Sequence, residues 1–118
     1  MDDASVATKK FQKEMIAGTA SLVLLSVLSR SKEPMYGYQI AKLLEENGPE
    51  VPIMKQGSLY PVLRSLEENS LLESTVEPSV SGPPRRYYKI TEDGRAALAE
   101  WLEIWKKTKK FVDAFLKG

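Results

Sequence analysis

Basic side chains are concentrated in two short segments of this sequence. Residues 51–66 contain Lys55 and Arg64 and no acidic residue, in a chain whose formal net charge is only +1. The second segment contributes three more basic side chains, Arg85, Arg86 and Lys89. Guanidinium and ammonium groups bind phosphate oxygens, and arginine also binds base edges in the major groove. These residue types in this pattern favour binding to nucleic acid.

The composition excludes most kinds of catalytic and metal site. The sequence contains no His and no Cys, which excludes Ser-His-Asp and Cys-His catalysis, disulfides and His- or Cys-bound metals. The carboxylates of Glu45, Glu46, Glu67 and Glu68 are adjacent pairs on charged helix faces and do not converge on a pocket. No Gly-rich phosphate loop is present. We expect no enzymatic activity, no cofactor and no metal.

The length and apolar content indicate a single folded domain, residues 1–118. Hydrophobic residues make up 42% of the chain and charged residues 28%, which is typical of globular proteins. The longest apolar stretch, residues 17–28, is shorter than the roughly 20 residues that cross a bilayer. The first residues are acidic, unlike a secretory signal. We expect a cytoplasmic protein without membrane contact.

The periodicity of apolar residues predicts three helices in the first part of the chain: 5–29, 36–46 and 58–68. Gly48 is expected to end the second helix in a left-handed conformation. Ser58 is expected to cap the third helix, so that Pro61 falls in its first turn. Residues 51–56 are predicted as a short mixed connection.

The remaining sequence predicts a hairpin followed by a long helix. Alternation with a period of two indicates strands over 72–77 and 85–90, joined by the turn-rich residues 78–84. Thr91 is expected to cap a final helix over 92–116. The predicted fold class is mainly α with a β-hairpin wing (α+β), the plan of a winged helix-turn-helix.

In a winged helix-turn-helix, the third helix and the hairpin face the DNA. The predicted third helix buries one apolar stripe and offers polar side chains on its other face. Taken alone, Arg64 could be a solvated charge on a helix, and Arg85 and Arg86 could be an ordinary pair at the end of a strand. The interpretation as a DNA-binding surface therefore depends on their joint placement on the third helix and the hairpin. The predicted DNA-binding residues are Tyr36, Lys55, Gln56, Ser58, Tyr60, Arg64, Arg85, Arg86 and Lys89.

The final helix has more apolar surface than a core of this size can cover. Its apolar residues follow a spacing close to a heptad seam, with Thr108 as the one polar member. An exposed patch of that size marks an interaction site. The predicted dimerisation residues are Leu98, Trp101, Ile104, Trp105, Val112 and Phe115.

Three segments of the chain closely resemble the PadR family of winged-helix transcriptional regulators: residues 36–40 (YGYQI), 57–67 (GSLYPVLRSLE) and 82–91 (GPPRRYYKIT), with Gly94 following. The resemblance covers about residues 15 to 115. It implies a homodimeric bacterial repressor whose first and last helices form the dimer interface. Members commonly bind inverted repeats with ATGT and ACAT arms and release them on binding a small effector. The chain would divide into a DNA-binding core, 15–90, and a C-terminal dimerisation helix, 91–118.

The single C-terminal helix resembles that of the small subfamily that includes multidrug-responsive repressors. This resemblance places Trp105 where such members stack a planar drug between paired indoles, with Trp101 and Thr108 beside it. The other interpretation is that Trp101 and Trp105 only fill the dimer seam. One departure from the family pattern is Asn69-Ser70 in place of the usual glycine after the third helix. We expect the fold to be kept, because Asn69 tolerates the left-handed conformation.

A winged helix that binds protein and not DNA is the alternative function. Its exposed face would be apolar or acidic, whereas residues 51–66 are neither. Under the DNA-binding hypothesis, the two third helices of a dimer would contact major grooves about 34 Å apart, one helical turn of duplex. The leading hypothesis is therefore a DNA-binding, effector-responsive repressor whose partners are duplex DNA, a second copy and a planar aromatic effector.

Overall fold

The computed structural model describes residues 3–48 and 56–118. It contains four helices and three strands in this range: α1 (Asp3–Arg30), β1 (Met35–Tyr36), α2 (Gly37–Asn47), α3 (Gln56–Glu68), β2 (Leu72–Glu77), β3 (Arg85–Ile90) and α4 (Glu92–Lys117). The predicted fold class is confirmed, because the chain is mainly helical with a hairpin. We call β2, β3 and the connecting residues 78–84 the wing.

The three strands form one antiparallel sheet in the order β1-β3-β2. Strand β1 was not predicted, because two residues are too few to show a period of two. Tyr36, predicted as the first residue of the second helix, instead pairs with Tyr87 of β3 and caps α2. Its N–H donates to Oε1 of Gln39 at 3.0 Å. The start of α2 is thereby fixed to the wing.

The core lies around the C-terminal half of α1, which packs against α3, β3 and α4. One apolar stripe from each element is covered there, as amphipathic helices and a half-buried sheet require. The buried residues are Ala20, Leu24, Leu25, Leu28, Ile40, Leu59, Leu63, Leu66, Leu72, Tyr88, Ile90 and Leu98.

Helix α1 is longer than the apolar stretch in its C-terminal half. Residues 17–28 belong to a 28-residue helix, which is long and apolar enough, by length and composition alone, to cross a membrane. The core helix of a soluble protein meets the same criterion when it is mostly buried. In α1, 22% of the apolar window is buried, and Leu24, Leu25 and Leu28 lie in the core. This helix is therefore weak evidence for a membrane span.

Two helix ends differ from the predictions. Because α3 begins at Gln56, Ser58 is a helical residue and not the cap, and Pro61 lies inside the helix. A proline has no backbone N–H, so α3 lacks one hydrogen bond there. Gly48 has a φ of −152° and not a left-handed value, and its N–H donates to the Leu44 carbonyl at 2.9 Å. Most of the predicted connection over residues 51–56 lies outside the described residues.

Ser70, and not Asn69, takes the left-handed conformation after α3, with a φ of 64°. The Ser70 N–H donates to the Glu67 carbonyl and the Leu71 N–H donates to the Leu66 carbonyl, both at 2.9 Å. This pair of bonds is the Schellman motif, whose left-handed position is usually glycine. Serine therefore occupies the left-handed position that is usually glycine in this motif.

Thr91 joins the end of α3 to the start of α4. Its hydroxyl donates to the Ser70 carbonyl at 2.7 Å and accepts from the Gly94 N–H at 2.9 Å, which confirms the predicted cap. A Cβ on Gly94 would collide with the Leu71 carbonyl and lie 2.7 Å from Cγ1 of Ile90. Glycine is required at this position because the backbones of two elements approach so closely.

Candidate nucleic-acid interface

Helix α3 separates its apolar and polar side chains onto two faces. Leu59, Leu63 and Leu66 are fully or almost fully buried, whereas Ser58, Tyr60 and Arg64 are exposed, as are Pro61 and Ser65. Lys55 and the side chain of Gln56 lie outside the described part of the chain. The exposed face of α3 thus offers three hydroxyls, from Ser58, Tyr60 and Ser65, and the guanidinium group of Arg64 to an outside partner.

The basic residues of the wing do not lie on one surface. Successive side chains of a strand point to opposite faces, so Arg86 shares a face with the buried Tyr88 and Ile90. Arg85 and Lys89 lie on the other face. Lys89 faces Glu73 across the strands, and Nζ and Oε1 are 3.4 Å apart in an exposed ion pair. Lys89 is therefore separated from Arg86.

Arg86 is connected to α3 through Ser74 of β2. Its Nη1 donates to Oγ of Ser74 at 2.9 Å, and Oγ of Ser74 donates to Oε2 of Glu67 at 2.6 Å. Burial raises the pKa of the neighbouring Tyr88 phenol, and the negative charge of Glu67 raises it further. Tyr88 is therefore neutral at physiological pH. The positive charge of Arg86 acts in the opposite direction to Glu67 and lowers the pKa of Tyr88, but by less than burial raises it.

A cleft of about 600 Å³ separates the wing tip from the start of α2 and from α3. It brings four of the predicted DNA-binding residues together: Tyr36, Tyr60, Arg85 and Arg86. The other lining residues are Gly37, Tyr38, Ser79, Ser81, Pro83 and Pro84. Ser58, Arg64 and Lys89 are not among them.

Tyr36 is the centre of an aromatic cluster at this cleft. The guanidinium carbon of Arg85 lies 4.5 Å from the centroid of its ring, within the range of a cation–π interaction. The ring of Tyr87 meets it edge-on at 5.3 Å, and the ring of Tyr38 is stacked at 6.4 Å. The cluster orients Arg85 relative to α2.

Tyr60 of α3 lies directly over Gly37 of α2. A Cβ on Gly37 would collide with the phenol ring, with the ring carbon Cζ only 2.6 Å away. The glycine therefore allows the aromatic side chain of α3 to pack against the start of α2. This contact was not predicted, because residues 23 positions apart in the sequence show no common period.

The Ser74–Glu67 contact was also missed at the sequence level. The available signal was the alternation of β2, which places Ser74 on the same face as Leu72 and therefore toward α3. A polar residue on an inward face needs a hydrogen-bond partner. The identity of that partner depends on how the strand packs on the helix, which periodicity does not contain.

The predicted seam of α4 is divided by its exposure. Leu98 is buried in the core of its own chain, and Trp101 packs partly against that core. Beyond Trp101 the seam is exposed, since Ile104 is 61%, Trp105 38%, Val112 43% and Phe115 73% accessible. Thr108 is exposed on the same helix. The described residues therefore leave this part of α4 without an apolar partner.

Comparison with known proteins agrees with the geometry. The family model of PadR-like transcriptional regulators matches residues 24–100. A PadR family transcriptional regulator from Eggerthella lenta has a similar crystal structure, with 32% identity, a TM-score of 0.80 and coverage of 96% of this chain and 95% of that one.

Two further relatives support the same assignment. A transcriptional regulator from Clostridium thermocellum is 29% identical with a TM-score of 0.77, covering 86% of this chain and 97% of that one. A protein from Lysinibacillus sphaericus is 30% identical over 98 residues, 83% of this chain and 87% of its own length. With a family model that matches most of its length, the chain belongs to the PadR-like family of transcriptional regulators, which are DNA-binding proteins and not enzymes.

Proposed function

We propose that this protein is a cytoplasmic transcriptional repressor that binds an inverted-repeat operator as a homodimer. The observation that carries the proposal is the joint exposure of Ser58, Tyr60 and Arg64 on α3 and of Arg85 on the wing. Residues 15–90 would form the DNA-binding unit and residues 91–118 the dimerisation helix.

The exposed face of α3 suits the major groove. Its hydroxyl and guanidinium groups are donors for base edges and phosphates. The same proposed surface includes Tyr36, which precedes α2. It also includes Gln56, the first residue of α3, and Lys55, which precedes it in the sequence. Side chains of this kind fix the orientation of α3 on the duplex and read its bases.

The wing would contact the backbone beside that groove. Arg85 has a guanidinium group that is stacked but forms no ion pair within the described residues, so its N–H groups can bind a phosphate. Arg86 has donors beyond the one bound to Ser74. Lys89 can exchange its exposed partner Glu73 for a phosphate at small cost, because exposed ion pairs contribute about 0–1 kcal/mol.

Dimerisation follows from the uncovered apolar side chains of two helices. In α1 these are Phe11, 62% exposed, and Met15, 49% exposed, and in α4 they extend from Ile104 to Phe115. A second copy of the same helices would cover both sets. The pair would hold two α3 helices at a spacing that matches successive major grooves, about 34 Å apart.

The effector part of the proposal rests on Trp105. Its indole is 38% exposed in the single chain and offers a large stacking face to a planar aromatic molecule at the dimer seam, with Trp101 and Thr108 beside it. Tryptophan fluorescence of the dimer, titrated with a panel of planar aromatics, tests this. A saturable response that is lost in Trp105→Ala is the expected result, and a response unchanged in that variant would contradict it.

A salt titration of DNA binding tests the main proposal. The probe is a fluorescent duplex with ATGT and ACAT arms, and the control is a scrambled duplex of the same composition. We expect specific binding, and we expect the logarithm of the association constant to fall linearly with the logarithm of the salt concentration. Arg64→Ala or Arg85→Ala should each flatten the slope by about one unit if the residue contacts a phosphate.

Lys117→Ala is the matched control, because Lys117 lies at the far end of α4 and should leave the slope unchanged. Equal affinity for the scrambled duplex would contradict the proposal and favour a protein-binding winged helix. Sedimentation of a single subunit at working concentrations would contradict the dimer.

A further inference from the structure

Two half-buried side chains between α3 and the wing form a hydrogen-bonded connection that ends on Arg86. Oγ of Ser74 donates to Oε2 of Glu67 at 2.6 Å, and Nη1 of Arg86 donates to the same Oγ at 2.9 Å. The hydroxyl of Ser74 therefore gives its single proton to Glu67 and offers a lone pair to Arg86. We call this connection, which joins β3 to α3 through β2, the Ser74 bridge.

The Ser74 bridge lies beside the part of α3 that is proposed to contact DNA. Glu67 follows Arg64 by three residues and Tyr60 by seven, so these three side chains lie along one side of the helix. Tyr60 and Arg86 line the same cleft. The guanidinium group of Arg86 is thus held next to the exposed face of α3.

The two neighbouring arginines of the wing are held by different contacts. Arg85 lies over the ring of Tyr36, whereas the hydrogen bond to Ser74 is the one that the Arg86 side chain forms within the described residues. A long side chain that is not held in place loses conformational entropy when it binds a partner. The Ser74 bridge reduces this loss for Arg86, and it leaves the other N–H groups of the guanidinium available for a phosphate.

We propose that Glu67 and Ser74 are positioning residues, which hold Arg86 at a set distance from α3 so that the wing and α3 contact the duplex together. This inference rests on the proposed function, since it concerns the affinity for DNA. The carboxylate of Glu67 by itself repels phosphates. Its place near the interface is explained by the proton that it accepts, because this bond turns a lone pair of Ser74 toward Arg86.

A double-mutant cycle on the duplex with ATGT and ACAT arms tests the coupling. Binding is measured for the full chain and for Ser74→Ala, Arg86→Ala and the double variant. We expect Arg86→Ala to weaken binding about tenfold and Ser74→Ala about fivefold, and the double variant to bind no more weakly than Arg86→Ala. An equally large loss from Ser74→Ala in the absence of the arginine would show that Ser74 only stabilises the fold, and would overturn the proposal.

Two further substitutions in β2 separate the hydroxyl from the strand. Ser74→Thr retains the hydroxyl and should bind the duplex nearly as tightly as the original chain. Thr75→Ala changes a side chain on the other face of β2 and should bind normally. Binding by Ser74→Thr as weak as that by Ser74→Ala would overturn the role of the hydroxyl.

A matched pair of variants tests Glu67 without a difference in charge. Glu67→Gln and Glu67→Leu both remove the carboxylate, but only glutamine retains an acceptor for the hydroxyl of Ser74. We expect Glu67→Leu to bind the duplex about fivefold more weakly than Glu67→Gln. Equal affinities of the two variants would show that Glu67 acts on DNA through its charge alone, and would overturn the proposal.

The scrambled duplex separates this inference from the proposed function. A phosphate contact is independent of base sequence, so the coupling between Ser74 and Arg86 should be present on both duplexes. A preference for the inverted repeat without this coupling overturns the inference alone. Coupling on both duplexes, with equal affinity for the two, supports the inference and contradicts the proposed operator alone.

Discussion

The wing region and the distal part of α4 differ in how their aromatic residues are covered. Near the wing, Tyr36 lies against Tyr87 and under Arg85, so its ring has partners within the chain. On α4, Phe111 contacts only Phe115 among the described rings, and both are more than 60% exposed. The aromatic residues near the wing are covered within one subunit, whereas those on distal α4 are left uncovered by the described residues.

This difference shows where sequence patterns carry information about partners. Apolar residues at heptad spacing on an exposed helix indicate an interface, because the isolated chain cannot cover them. Polar and aromatic residues at a packed surface indicate contacts whose partners are distant in sequence. The two regions should therefore respond differently to substitution.

The largest effect is expected on α4. Trp105→Glu should raise the dimer Kd at least 100-fold, because it places a charge in the seam and removes an aromatic anchor of the kind that dominates interfaces. Analytical ultracentrifugation measures it. Lys110→Glu places the same carboxylate on the opposite face of the helix and should remain dimeric. Equal Kd values for the two variants would remove Trp105 from the interface.

The next largest effect is expected at the junction of α3 and α4. Gly94→Ala should lower the free energy of unfolding by about 3 kcal/mol, because the new Cβ collides with the Leu71 carbonyl and Ile90. Gly18→Ala is the matched control, since nothing lies within 4 Å of its Cβ position and alanine favours a helix. Urea denaturation of both variants should show opposite shifts, and parallel shifts would contradict the close approach.

A smaller loss is expected between the wing and α3. Ser74→Ala should destabilise the fold by about 1 kcal/mol, because Glu67 and Arg86 lose the hydroxyl that joins them. Thr75→Ala changes the neighbouring exposed residue of the same strand and should change stability less. Chemical denaturation measures both, and a larger loss in Thr75→Ala would show that the hydroxyl of Ser74 does not connect these elements.

The smallest effect is a gain. Ser70→Gly should raise the free energy of unfolding by up to about 1 kcal/mol, because glycine adopts the φ of 64° at less steric cost than serine. The comparison variant Asn69→Gly should bring no gain, since Asn69 does not have a positive φ and its Nδ2 donates to the Ser65 carbonyl at 2.8 Å. A gain in Asn69→Gly and none in Ser70→Gly would contradict the turn.

Elements with strong local signals were predicted well. The bounds of β2 and β3 and the cap at Thr91 agree with the structure, because alternation and capping are properties of adjacent residues. Strand β1 was missed, since Tyr36 is extended only through its pairing with Tyr87. The start of α3 was placed two residues late, because Ser58 satisfies a capping preference that this helix does not use.

Sequence reasoning selected individual residues of the candidate site but not their arrangement. The tendency of arginine and tyrosine to bind DNA selected Arg85 and Tyr60, yet sequence spacing does not show that Arg85 stacks on Tyr36 or that Arg86 is bound by Ser74. Those contacts depend on the angle between strand and helix. Residue type indicates what a side chain can bind, and tertiary packing decides which side chains are available.

The hydrogen bonds of Thr91 to both Ser70 and Gly94 connect the turn after α3 directly to the first turn of α4. Helix α4 has 26 residues and is therefore about 39 Å long. A tilt of about 5° about this pivot moves the far tip by roughly 3 Å. The start of this long helix is therefore tied by hydrogen bonds to the turn that ends α3.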